Sequence, residues 1–277
     1  MNFKELKVLV RGAGDIASGV IWNLAYAGFK VVCVDVEKPS CIRTEVSFST
    51  AIYEGVKTLG NVSCVFIKDE KDIEKVWEDG NAALLIDPEA KILEKRKFDV
   101  VVDAILAKKN LGTKIDMADI VIGIGPGFTV NKDCNYAIET MRGHTLSKIY
   151  ESGSPIPDTG TPGLIAAHGA DRVMHSPCEG IFHNVHKIGD TVKRDEVLSR
   201  VEEMVDGKPT GKFVMLTASI DGILRGILRD GFYARKGLKA ADIDPRLSEY
   251  DNCFTISDKA RSIGAAVVTT IMHAYNK

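Results

Sequence analysis

The chain has 277 residues, 45% hydrophobic and 27% charged, with 36 basic against 38 acidic side chains and a formal net charge of −2. That length suffices for roughly two domains with a sizeable core. The near-neutral balance gives no global field to hold a polyphosphate backbone or an anionic membrane, so neither nucleic acid nor membrane is expected as a partner.

No apolar run approaches the roughly 20 residues that span a bilayer. The opening MNFKELKVLV enters a strand-like run without a small-residue cleavage site, and the expected location is cytoplasmic. Six cysteines (Cys33, Cys41, Cys64, Cys134, Cys178 and Cys253) stand singly, which suggests neither a disulfide framework nor a zinc knuckle. His183 and His186, three apart in a β-like run, fall on opposite faces of a strand. No metal site is expected.

From residue 7 to about 125, short β-branched runs alternate with helical stretches. The spacing predicts strands over Lys7–Arg11, Val31–Asp35, Ser63–Ile67, Ala83–Ile86, Asp99–Asp103 and Asp119–Ile122. It predicts helices over Ile16–Ala27, Phe48–Leu59, Asp69–Glu78 and Pro88–Lys95. The runs VLV, VVCV, ALLI and VVVD are apolar without alternation, as strands covered on both faces require. The expected fold is α/β, a Rossmann-like doubly wound parallel sheet.

Within it, VLVRGAGDIASGV carries Gly12-x-Gly14-x-x-Ala17 between a strand and a helix, the dinucleotide fingerprint. Gly12 serves the tight turn, Gly14 admits a pyrophosphate to the backbone, and Ala17 keeps helix and sheet close. Ala13, Asp15 and Ile16 complete the loop, whose helix N-terminus offers amide groups and a positive dipole end. Asp35, ending the second strand, suits ribose hydroxyls and favours NAD over NADP, although Lys38 and Arg43 downstream weaken that preference. A purely structural glycine turn is the competing reading. Gly123, Gly125 and Gly127 in GIGPGF form a second cluster after a strand, either an anion nest or an interdomain turn.

No catalytic constellation stands out. Ser154, Ser176, His168 and Cys41 lack a triad or elbow context. Arg142 and His144 in TMRGH lie where they could meet a phosphate or carboxylate beside the second glycine cluster, or simply face solvent.

The pattern dissolves in ESGSPIPDTGTPG. The expected domains are a nucleotide-binding domain over 1–150, a linker over 151–172, a β domain over 173–247, and a C-terminal helix within 248–277 packing back on the body. In the β region, Gly180 aligns with Gly222 and Gly189 with Gly231, both at an offset of 42, an internal repeat. The halves resemble a biotinyl/lipoyl-type barrel-sandwich. In a carrier of that type the modified lysine follows Glu-x-Met; after Glu202-Glu203-Met204 stands Val205, and Lys208 lies outside the motif. No biotin or lipoyl attachment is expected.

Taken in order, RGAGDIASGV, CIRTEVSFSTAIYEG, GIGPGFTVNKD, TMRGH, DTGTPG and the half-repeats resemble the YqeB-like family of the selenium-dependent molybdenum hydroxylase system. The resemblance implies an accessory role in maturing such hydroxylases, broadly similar to XdhC-type proteins. It implies NAD(P) or a related nucleotide as cofactor, or a molybdopterin-type cofactor, and a hydroxylase as client. The alternative is an NAD-dependent oxidoreductase with its active site near Gly125, Arg142 and His144. An isologous homodimer is the default assembly for such a chain.

Overall fold

The computed structural model describes residues 3–160, 166 and 168–277. The chain divides into two compact units, one of residues 1–39, 47–159 and 256–277, the other of residues 40–46 and 160–255.

In the first unit, β1 (Lys7–Arg11) leads into α1 (Asp15–Tyr26) and β2 (Lys30–Asp35). There follow α2 (Ala51–Glu54), β3 (Val56–Leu59), β4 (Val62–Phe66), α3 (Ile73–Glu78), β5 (Ala82–Ile86) and β6 (Val100–Asp103). The sheet continues with β7 (Ile120–Ile124), β8 (Tyr136–Ile138) and β9 (Ile149–Tyr150). The nine strands lie in the order β3-β4-β5-β2-β1-β6-β7-β8-β9. Parallel pairing runs from β4 to β8, with Leu9 opposite Val32 on one side and Val101 on the other. Alternate residues feed two cores. Val8, Val10, Val31 and Cys33 pack with Ile21 and Leu24, whereas Leu9, Val32 and Val101 pack with Ile73, Val76 and Phe98.

The expected Rossmann-like doubly wound parallel sheet is corrected by this pairing: the sheet is large and mixed. β3 runs antiparallel to β4, and β9 antiparallel to β8. The reasons are local. The predicted helix Phe48–Leu59 stops at Glu54 because Gly55 adopts φ +84°, and the β-branched Val56 and Thr58 continue as a strand. Over Pro88–Lys95 only a 3-10 turn, Lys91–Glu94, forms. There Asp87 accepts the amides of Lys91 (2.9 Å) and Ile92 (2.8 Å), so the turn is capped without a helix behind it.

The C-terminal helix α4 (Asp258–Tyr275) belongs to the first unit, where Ile263, Val267 and Ile271 join the core holding α1. Ser257 caps it by accepting the Ala260 amide at 3.2 Å.

The second unit consists of β10 (Val173–His175), β11 (Gly180–Asn184), β12 (Thr191–Val192), β13 (Val197–Val205), β14 (Lys208–Thr217), β15 (Gly222–Ile227), β16 (Tyr233–Ala234) and β17 (Lys239–Asp244). Here too the expected barrel-sandwich gives way to a different description: two four-stranded antiparallel sheets, β10-β17-β15-β12 and β14-β13-β11-β16. β11, β12 and β13 begin at 180, 191 and 197, and β15, β16 and β17 at 222, 233 and 239, a constant offset of 42. The halves exchange their short strands: β12 pairs with β15, and β16 with β11. Phe182, Leu198, Val201, Leu224 and Ile243 fill the space between them.

No helix among the described residues is long and apolar enough to cross a membrane. Residues 161–165 and 167, within the expected linker and the DTGTPG block, lie outside the described residues.

Candidate functional site

Because β4 to β8 run parallel, the residues that follow them gather along one edge of the sheet. β1 is followed by the Gly12–Gly14 loop, β2 ends on Asp35, β6 on Asp103, and β7 and β8 run into Gly125 and Glu139. The strand order reverses between β1 and β6, since the chain first builds outward through β2 and β5 and then returns to the other side of β1. A reversal of this kind opens a crevice at the carboxyl ends of the strands.

The first glycine loop is tightly held. The Gly12 amide donates to Val34 O at 2.7 Å and the Ala13 amide to Asp35 Oδ2 at 2.8 Å. Gly12 sits at φ +98°, and a Cβ there would lie 2.9 Å from Ala104 O, so this turn admits only glycine. Ala13 O accepts from Ser18 Oγ (3.1 Å) and from the Ser49 amide (2.8 Å). Gly14 precedes α1 with φ −71° and ψ −169° and gives it no side-chain cap. Asp15, Ile16 and Ala17 form its first turn, whose amides have no acceptor within the helix. Asp35, expected to face a ribose, spends both oxygens on backbone, Oδ2 on Ala13 and Oδ1 on the Val36 amide at 2.7 Å. Burial raises its carboxyl above the usual range, although both amide donors oppose the shift.

The second glycine cluster meets packing demands. A Cβ on Gly123 would run into the Phe128 ring, one on Gly125 would lie 2.8 Å from Thr140 Oγ1, and one on Gly127 would strike the Lys109 backbone. The segment 104–110 thus touches both clusters, at Gly12 and at Gly127. It is anchored from below by the buried Arg11, which donates to Asp103 Oδ2 (3.4 Å), to Thr113 Oγ1, and to the carbonyls of Pro88 (3.2 Å) and Leu111 (3.1 Å). Thr113 Oγ1 donates in turn to Asp103 Oδ2 at 2.6 Å. Above this anchor Leu106 and Lys108 both adopt φ +61°, backbone strain held in place by the network below.

Next to β8, the fully buried Glu139 accepts the amides of Thr140 (2.7 Å), Met141 (2.8 Å) and Ile156 (2.8 Å) and the Tyr150 hydroxyl (3.2 Å). It thereby sets the loop that presents Arg142, which pairs with both oxygens of Asp258 at 2.8 and 3.0 Å. His144 is exposed and joins no such arrangement. Asp258 opens α4, and the following residue, Lys259, is half-buried beside Arg142, Asp15 and Glu139. Burial, reinforced by Arg142, pulls its ammonium below the usual lysine range.

The structure therefore brings Gly14, Asp15 and Lys259 to one end of the sheet, with Arg142 alongside, and leaves His144 out. Four functional candidates escaped the sequence reading. Arg11 and Glu139 signal themselves as charges directly after the apolar runs VLV and YAI, and a buried charge is the informative exception. Lys259 is a cation in the first turn of a helix, against the macrodipole. Thr113 carries no sequence signal. In the second unit, Val205 and Lys208 face each other across the Asp206–Gly207 turn of the exposed β13–β14 hairpin. Among the described residues no group of three or more His, Cys, Asp or Glu side chains could hold a metal ion.

No family model matches the chain. It is 42% identical over 265 residues to a protein of Escherichia coli (strain K12) described as "Uncharacterized protein YqeB". The match covers 96% of this chain but 47% of that protein, so the chain spans about half the length of the curated relative it matches. Among solved structures, a succinylglutamate desuccinylase/aspartoacylase from Rhodobacter sphaeroides aligns at 11% identity and a TM-score of 0.29, over 86% of this chain and 85% of that one. An aspartoacylase family protein from Mesorhizobium loti aligns at 10% identity and a TM-score of 0.28, over 87% and 86%. The ectoine utilization protein EutE from Ruegeria pomeroyi aligns at 11% and 0.26, over 86% and 85%.

These findings correct the resemblance drawn from the motif order. The relative is uncharacterized, which leaves the selenium-dependent molybdenum hydroxylase role and the XdhC-like comparison without support. Of the solved structures named, two are described as desuccinylase or aspartoacylase proteins and one as an ectoine utilization protein, and none as a nucleotide-binding accessory protein or an NAD-dependent oxidoreductase. Both expected functions are withdrawn. At these TM-scores the alignments transfer no activity to this chain.

Proposed function

We propose that the first unit binds a small anionic metabolite at the carboxyl end of its parallel strands, with the anionic group at the N-terminus of α1. One observation carries this reading: an α-helix of 12 residues without a side-chain cap starts where the strand order reverses. A helix start offers unpaired amides and a positive dipole end, and Lys259 adds a cation beside it. The 104–110 segment lies against the glycine loop at Gly12.

Thermal unfolding of the intact chain in millimolar inorganic phosphate, pyrophosphate and succinate, against sodium chloride at equal ionic strength, tests it. At least one of these anions raises the midpoint by mass action. Gly14→Asp, whose backbone angles suit any residue, abolishes the rise by placing a carboxylate where the anion binds. No shift with any of the three, or a shift unaltered in Gly14→Asp, overturns the proposal.

A further inference from the structure

In the second unit the sheet β14-β13-β11-β16 turns one face to the core and leaves much of the other exposed. Phe182, Val201, Leu216 and Ala234 point inward. Side chains alternate along a strand, so their neighbours form the outer face. The register sets these neighbours in two rows. In one, Met215 lies opposite Arg200, and Arg200 opposite His183. In the other, Phe213 lies opposite Glu202, Glu202 opposite Ile181, and Ile181 opposite Tyr233. Phe213 is 48% exposed, Met215 45% and Tyr233 39%. Two of these side chains are already held in place: the Phe213 and His183 rings meet edge to face with centroids 5.8 Å apart, and His183 Nε2 lies 3.5 Å from Glu202 Oε2.

We propose that this outer face packs on the same face of a second copy of the chain, forming a homodimer about a two-fold axis that runs across the strands between the two rows. Rotation about that axis lays each row of one copy on the other row of its partner. Arg200 then faces the partner's Glu202, Met215 faces the partner's Phe213, and each contact occurs twice, as an isologous interface requires. The charges meet in opposite signs, and a thioether against an aromatic ring is a favourable pairing. An axis along the strands would instead lay each row on itself, bringing Arg200 towards the partner's Arg200 and His183. The charge pattern therefore selects the first arrangement.

The free edge of β14 is a poor alternative contact. It carries Lys208, Pro209 and Lys212, and its pairing with β13 slips between Glu202 and Met204, features that keep sheet edges from adding strands. Four strands about 4.8 Å apart, over about six residues of about 3.4 Å each, make a face of roughly 400 Å². A standard interface takes about 800 Å² from each partner. The dimer is accordingly weak, and its population rises with concentration.

Sedimentation velocity of the intact chain from about 5 µM to about 500 µM tests the proposal. The expected result is a shift from the mass of one chain towards twice that mass. Arg200→Glu and Glu202→Arg each place like charges opposite one another and should raise the dissociation constant about tenfold or more. An equimolar mixture of the two variants should associate again, because opposite charges then meet at both positions, and a chain carrying both substitutions should recover self-association. Thermal midpoints show that the variants are folded. A chain that keeps the mass of one copy at every concentration overturns the proposal and leaves the face to a different protein. Association that neither reversal weakens, or a mixture that associates no more than its components, places the contact elsewhere and overturns it as well.

Discussion

The carboxylate of Asp35 accepts the Ala13 amide at 2.8 Å, locking the end of β2 to the glycine loop that follows β1. A residue placed by sequence to receive a ligand is thus used to shape the loop. Because burial raises its carboxyl above the ordinary value of 3.8, the native state holds this proton more tightly than the unfolded chain does. The Asp35 contribution to stability therefore decreases as pH rises from 3.8 through the raised value, and is level beyond it.

Asp35→Asn removes that titration and keeps an acceptor for Ala13. Thermal midpoints of both proteins between about pH 3.5 and about pH 7 should show the wild type gaining on the variant at the acid end. A difference that is flat, or that grows with pH, contradicts the assignment.

Arg11 makes a second, larger claim on the same edge. Its guanidinium serves Asp103, Thr113 and two carbonyls, all in the interior. Arg11→Met leaves the Asp103 carboxylate buried without its cation, and urea unfolding should report a loss of about 3–5 kcal/mol. Thr113→Val removes a single hydroxyl from the network and should cost about 1–3 kcal/mol. Equal losses in the two variants would show that the charge is already neutralised by other means.

The sequence makes the centre of the sheet readable because its strands are continuous apolar runs: VLV of β1, VVCV of β2 and VVVD of β6 cannot be mistaken for half-exposed strands. Its margins are a different case. Val56–Leu59 reads equally as the end of a helix, and only Gly55 and the Gly60–Asn61 turn mark the hairpin with Val62–Phe66. For the site, the glycine loop was visible at Gly12 and Gly14, but no local pattern announces that Lys259, more than 240 residues downstream of Gly14, returns to its side. The approach depends on α4 packing against α1, a tertiary contact that one helix's sequence does not encode.

Thiol chemistry separates the cysteines by burial. None of the six is in a disulfide; Cys41 is half-buried and the other five are buried. Burial pushes the Cys33 thiol well up and Cys134 up to about 11, so few thiolates form at those sites. Reaction of the native chain with a disulfide reagent at mildly alkaline pH should release one fast equivalent, lost in Cys41→Ser. Two or more equivalents at the same rate would show that a second thiol is open to solvent.

The contact of α1 with α4 reverses the usual sign of a helix substitution. Replacing glycine by alanine inside a helix normally stabilises by about 1 kcal/mol. At Gly19 the new Cβ would lie 2.3 Å from Ala260 O and 2.7 Å from Ala260 Cβ, and at Gly264 it would lie 2.3 Å from Gly19 O. Both obstacles include backbone, which cannot swing aside, so the helices must part and open the core around Ile263 and Val267. Gly19→Ala and Gly264→Ala should each destabilise by about 1–3 kcal/mol in urea unfolding. Adding Ala260→Gly to Gly19→Ala relieves only the side-chain half of the clash and should restore part of the loss. Full recovery would mean that the helix backbones are farther apart than this packing requires, and a gain in stability from Gly19→Ala alone would mean that the two helices do not touch there.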